Sequence, residues 1–131
     1  MDEQKTRSVV ELLLGEGVPN VAKSLPTARY KVKRLSKAAG TDVVFTLRAL
    51  PYGRVQEIQD PEGKETSMQI LLAGVVEPSF QDPALCGKFG GVTPAETVKA
   101  LLLPGEIEDV SRAIERLSGF RQQTIQEVKN G

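Results

Sequence analysis

The chain has 131 residues, with 17 Lys+Arg against 17 Asp+Glu, one cysteine, and neither histidine nor tryptophan. One domain spanning 1–131 is expected at this length, and it is long enough to bury a core without disulfide staples. A single cysteine excludes an internal disulfide and points to a reducing, cytoplasmic compartment. Without histidine, any enzyme or metal site would rest on carboxylates, lysine, tyrosine or Cys86.

The opening "MDEQKTRSVVELLLGEG" mixes acids and bases around a short apolar run. It is neither a secretory signal nor a membrane span, which needs ~20 apolar residues. A helix is expected over Thr6–Leu14. Val9, Val10, Leu12 and Leu13 give it an apolar side, and Gly15 and Gly17 end it. "GEGVPNVAKSLPT" reads as a loop, because Pro19 and Pro26 oppose regular structure.

Residues 28–35 and 42–50 alternate as half-exposed strands do, and predict an antiparallel β-hairpin across a turn containing Gly40. Phe45, Leu47 and Ala49 share one side of the second strand; Thr46, Arg48 and Leu50 share the other. Pro51 opens a short helix to about Ile58, with Val55 and Ile58 facing inward. "DPEGK" is a turn. Thr66–Val76 predicts a helix burying Met68, Leu71, Leu72 and Val75, ended by Pro78.

The stretch "SFQDPALCGKFGG" reads as irregular, with one turn of helix capped by Asp82 and started by Pro83. Thr93 and Glu96 fit a capping box for a helix to about Leu103 that buries Val98, Leu101 and Leu102. Pro104-Gly105 breaks it. Glu106, Glu108 and Asp109 then open a last helix, with Arg112 and Arg116 further along, as the helix dipole favours. Ile107, Val110, Ile114 and Leu117 repeat at helical spacing. Gly119 closes that helix as a left-handed cap, with Phe120 packing back. A polar tail, residues 121–131, keeps Ile125 and Val128 as its apolar anchors and is expected to be mobile. The fold class is α+β and mostly helical: one hairpin, an N-terminal helix, and four or five further helices.

Few residues promise chemistry. Gly87-Lys88 lacks the upstream glycine and the following Ser/Thr of a phosphate loop and reads as an ordinary turn. Cys86 has no histidine to activate it and reads as a packed thiol. Glu106, Glu108 and Asp109 do not share a helix face, so the dipole explains them without a metal. Between Gly17 and Thr41 there is no acid, while Arg29, Lys31 and Lys33 would share one face of the hairpin. Such a stripe can bind the phosphates of a nucleic acid or serve as a solvated edge that deters strand pairing.

Three stretches carry a resemblance: "LPTARYKVKRL", "VVFTLRALPYGRVQEI" and "TPAETVKALLLPGEIEDVSRAIERLSGF", joined by "VVEPSFQDPAL". They are similar to the XkdN-like family of phage tail assembly chaperones. The resemblance implies a non-enzymatic protein of the bacterial host cytoplasm, without cofactor or small-molecule substrate. It implies binding to the tape measure protein, a long, largely helical, apolar-rich chain, and recruitment of tail tube subunits; self-association is compatible with it. Leu103, Phe120, Ile125 and Val128 are the expected partner-binding residues, since helix ends and termini are freest to engage a client. Two alternatives remain: a structural tail or head–tail connector protein of the virion, and a nucleic-acid-binding regulator using residues 23–37.

Overall fold

The computed structural model describes residues 7–58 and 65–129. Thr6 and the expected 60–64 turn lie outside them. The described elements, in chain order, are α1 (Val9–Leu13), β1 (Thr27–Lys31), α2 (Lys33–Ala39), β2 (Val44–Arg48), α3 (Tyr52–Ile58), α4 (Thr66–Gly74), β3 (Val75–Glu77), α5 (Pro83–Phe89), α6 (Pro94–Leu101) and α7 (Pro104–Leu117). The fold is α+β, with a small antiparallel sheet in the order β1-β2-β3.

The expected hairpin forms, but shorter and with a helix in its connection. Tyr30 pairs with Phe45 and Thr27 with Arg48. Lys33–Leu35, assigned by alternation to the first strand, begin α2 instead. The physical reason is composition: "KRLSKAA" is made mostly of good helix formers. Gly40, at φ 75°, supplies the left-handed residue that ends the helix. The half-buried hydroxyl of Ser36 accepts the Val43 N–H at 2.8 Å, so α2 is fastened back onto the hairpin.

β3 is a second correction. The helix expected through Val76 ends at Gly74, and the next three residues pair with β2. Thr46 faces Glu77 and Leu47 faces Val75, so Val76 is an extra, bulged residue. α5 is a third: two full turns replace the expected irregular stretch, with Asp82 Oδ1 accepting the N–H groups of Ala84 and Leu85.

One face of the sheet carries the core. Phe45 and Leu47 point inward from β2, while Val44, Thr46 and Arg48 are half-buried on the opposite side. Leu50, assigned to that opposite side, is buried as well, because the chain has left the strand by then. α7 lies against β2 and α4, and its Ile114 is fully buried with Leu47, Leu71 and Val98. Each such side chain stabilises the fold by about 1.5–3 kcal/mol. Phe80, from the segment before α5, meets Phe45 edge-on at 6.1 Å between ring centroids. The end of β2 is tied to the end of α7: the Leu50 N–H donates to Ser118 Oγ at 2.8 Å.

Candidate functional site

The α6–α7 corner is built from short-range signals. Thr93 Oγ1 accepts the Glu96 N–H at 3.2 Å, and the Glu96 carboxylate reaches back to the Val92 N–H at 2.9 Å. Only Leu102 and Leu103 separate the two helices. Pro104-Gly105, read as a break between helices, are in fact the first two residues of α7. Proline suits that position because its missing N–H would have no partner there. The Glu106 carboxylate accepts the Leu103 N–H at 2.7 Å, and leucine has no acceptor to complete a reciprocal box.

Glu106 does more than cap. Arg34 on α2 donates to both of its oxygens at 2.8–3.2 Å and to the Leu101 carbonyl at 2.8 Å. Those hydrogen bonds hold the Glu106 carboxyl below the ordinary carboxylate range, against a smaller opposing effect of burial. One guanidinium thus binds the last turn of α6 and the first turn of α7 to the hairpin connection. Glu108 turns elsewhere and accepts the Ser67 hydroxyl at 2.7 Å. Among the described residues, no group of three His, Cys, Asp or Glu side chains could hold a metal.

The other chemistry candidates resolve into packing. Gly87-Lys88 lie inside α5 rather than in a turn. Cys86 is half-buried, its thiol 3.3 Å from the Phe80 carbonyl. The basic stripe is divided. Arg29 and Lys31 stay on β1, with Lys31 paired to Asp42 at 3.6 Å, but Lys33 starts α2.

The four expected partner-binding residues are all exposed: Leu103 54%, Phe120 46%, Ile125 83% and Val128 85%. They do not form one patch. Leu103 precedes α7 and Phe120 follows it, a helix of 14 residues and so about 21 Å long. At the far end, the Phe120 N–H donates to the Glu115 carbonyl at 2.9 Å and Gly119 to Arg116 at 3.0 Å, with Gly119 at φ 92°. This is the expected glycine closure, although Phe120 stays nearly half open.

Sequence reasoning missed two surfaces. α1 is helical, but its apolar side covers nothing: Val9, Val10, Leu12 and Leu13 are all at least half exposed. A groove of about 370 Å³ lies between the hairpin and α7, with Tyr30, Val32 and Val110 among its walls. Helical spacing in α1 was the signal for an apolar side; nothing in it says which surface that side meets.

A family model described as phage XkdN-like tail assembly chaperone protein matches residues 10–130. The chain belongs to that family. This tail assembly chaperone also shares its fold with the crystal structure of the protein YqbN. That alignment has a TM-score of 0.58 at 20% identity, covering 82% of this chain and 94% of the other. No curated protein matches the chaperone's sequence. Its role therefore lies in phage tail assembly, and the family assignment implies a non-enzymatic one. No described helix is long and apolar enough to cross a membrane.

Proposed function

We propose that this chaperone binds the tape measure protein in the host cytoplasm and keeps it soluble until tail tube subunits polymerise around it. Family membership over residues 10–130 is the observation that carries the reading. The exposed Leu103, Phe120, Ile125 and Val128 support a site for an apolar client. A client touching both Leu103 and Phe120 has to run along α7. A long helix can do so, with its apolar stripe meeting the two ends and its polar side meeting the charged face between them.

Co-expression with the tape measure protein of the same phage tests this. The expected result is a soluble complex, with the tape measure protein insoluble when made alone. Stoichiometric presence of the chaperone in purified particles would instead make it a structural tail or connector protein.

A further inference from the structure

β1 is an edge strand whose outer side is open. The Val32 N–H donates to the Val43 carbonyl at 3.0 Å and the Ala49 N–H to the Pro26 carbonyl at 2.9 Å. Antiparallel ladders alternate, so in this register Pro26, Ala28, Tyr30 and Val32 turn their backbone polar groups toward β2. Thr27, Arg29 and Lys31 turn theirs away. β1 ends the sheet on that side, and all three residues are exposed. Among the described residues, their N–H and C=O groups find no partner.

The same alternation sets the side chains. Tyr30 lies on the α7 side of the sheet; Arg29 and Lys31 lie on the opposite side with Thr46 and Arg48. Arg48 Nε has no hydrogen-bond partner among the described residues. Lys31 reaches Asp42 at 3.6 Å, but both side chains are more than half exposed, so water weakens that pair. Beyond the strand, Lys31, Lys33 and Lys37 line a hollow of about 410 Å³ with Gly40 and Thr41. From Gly17 to Thr41 the chain has six basic residues and no acid, which leaves its remainder net acidic.

An open edge is a template for a further strand, and its charge selects which one. A second β1 would set cations against cations, and like charges directly opposite one another are unfavourable. A nucleic acid would find phosphate contacts but no ring to stack on beside them, because Tyr30 is on the other face. We infer that β1 accepts an extended segment of a partner protein as a fourth strand, with acidic residues at alternate positions facing Arg29 and Lys31. Main-chain bonds to Thr27, Arg29 and Lys31 supply affinity, and the alternating carboxylates specify the sequence. Carboxylates beyond the paired residues enter the lysine hollow. The acidic side chains lie on the face away from α7, so this partner leaves Leu103 and Phe120 free for a client.

The probe is a peptide of about six residues, the usual strand length, alternating Glu with Thr and blocked at both ends. It is titrated into the full chain, with amide hydrogen exchange read by NMR. The amides of Thr27, Arg29 and Lys31 are expected to slow on binding, while those of Ala28 and Tyr30, already bonded to β2, keep their rates. Arg29→Glu with Lys31→Glu should weaken binding by ~10-fold and turn the preference to a peptide alternating Lys with Thr. Both side chains are exposed, and circular dichroism verifies that the variant folds. If it does not, Arg29→Gln with Lys31→Gln should weaken binding by ~3-fold. Three results would overturn the inference: no binding at millimolar peptide, binding that leaves the three amides unprotected, or tighter binding of a single-stranded oligonucleotide of equal charge.

Discussion

Arg34 and Glu106, 72 residues apart in sequence, form a two-pronged ion pair that fixes the α6–α7 corner against α2. Arg34 is 43% exposed and Glu106 18%, so water weakens the pair without dissolving it. Glu106→Ala removes both the pair and the cap on Leu103, and is expected to cost about 1–2 kcal/mol in a denaturant titration. The pH dependence has a definite sign. The folded carboxyl titrates below its ordinary range, chiefly because of the Arg34 hydrogen bonds. Its stabilisation is therefore complete above the ordinary glutamate value of about 4.3 and fades as pH falls below it. Glu106→Gln should flatten that part of the stability profile; an unchanged profile would show that other carboxylates set it.

Gly74 and Ile114 bring α4 and α7 into contact. A methyl group at position 74 would lie 2.6 Å from both Ile114 Cδ1 and Cγ2. Gly74→Ala gains up to ~1 kcal/mol of helix propensity but overpacks the core by about 1–3 kcal/mol. Net destabilisation is expected. Adding Ile114→Val should recover part of the loss, and a double-mutant cycle measures the coupling. Additive losses would mean that the two residues do not share that space.

Gly91 presses on Thr97 more severely. A Cβ there would stand 2.7 Å from the Thr97 nitrogen and 2.9 Å from its Cα, and backbone cannot rotate away as a side chain does. Gly91→Ala should lower the melting temperature more than Gly74→Ala, by an amount worth about 3 kcal/mol. The neighbouring Thr93→Ala, which removes only the α6 cap, is expected to cost about 1 kcal/mol.

Ile125→Asp combined with Val128→Asp separates binding from folding. Both side chains are more than four-fifths exposed and belong to no helix or strand. The melting temperature should stay the same while co-purification of the tape measure protein falls. A substantial loss of stability would place these residues in the core.

Local signals were the legible part of this sequence. Asp82, Thr93 and Gly119 each act where capping chemistry places them, because a cap is decided within four or five residues. The buried faces of α4, α6 and α7 followed from spacing, and Met68, Leu71, Val98 and Ile114 are in the core as expected. What failed depended on partners distant in sequence. Val75–Glu77 is a strand only because β2 lies beside it. Lys33–Leu35 continue the alternation of the first strand and the residues after them read as a turn, but all of Lys33–Ala39 is helix, supported by tertiary bonds from Ser36 and Arg34. The apolar side of α1 was visible, but periodicity cannot tell a core from a neighbour. The same limit applies to Leu103 and Phe120, whose separation is set by how α7 lies between them.

The tie between Leu50 and Ser118, together with the seat of Ile114 beneath the sheet, also fixes an order of events at the ribosome. β1 and β2 emerge first, yet Phe80, which meets Phe45, follows 35 residues after it, and Ile114 completes the cluster 67 residues after Leu47, with α7. At roughly 5–20 residues per second of synthesis, the nascent sheet waits for several seconds with its apolar face incompletely covered. The core of this tail assembly chaperone is therefore complete only when its last helix closes over its first hairpin.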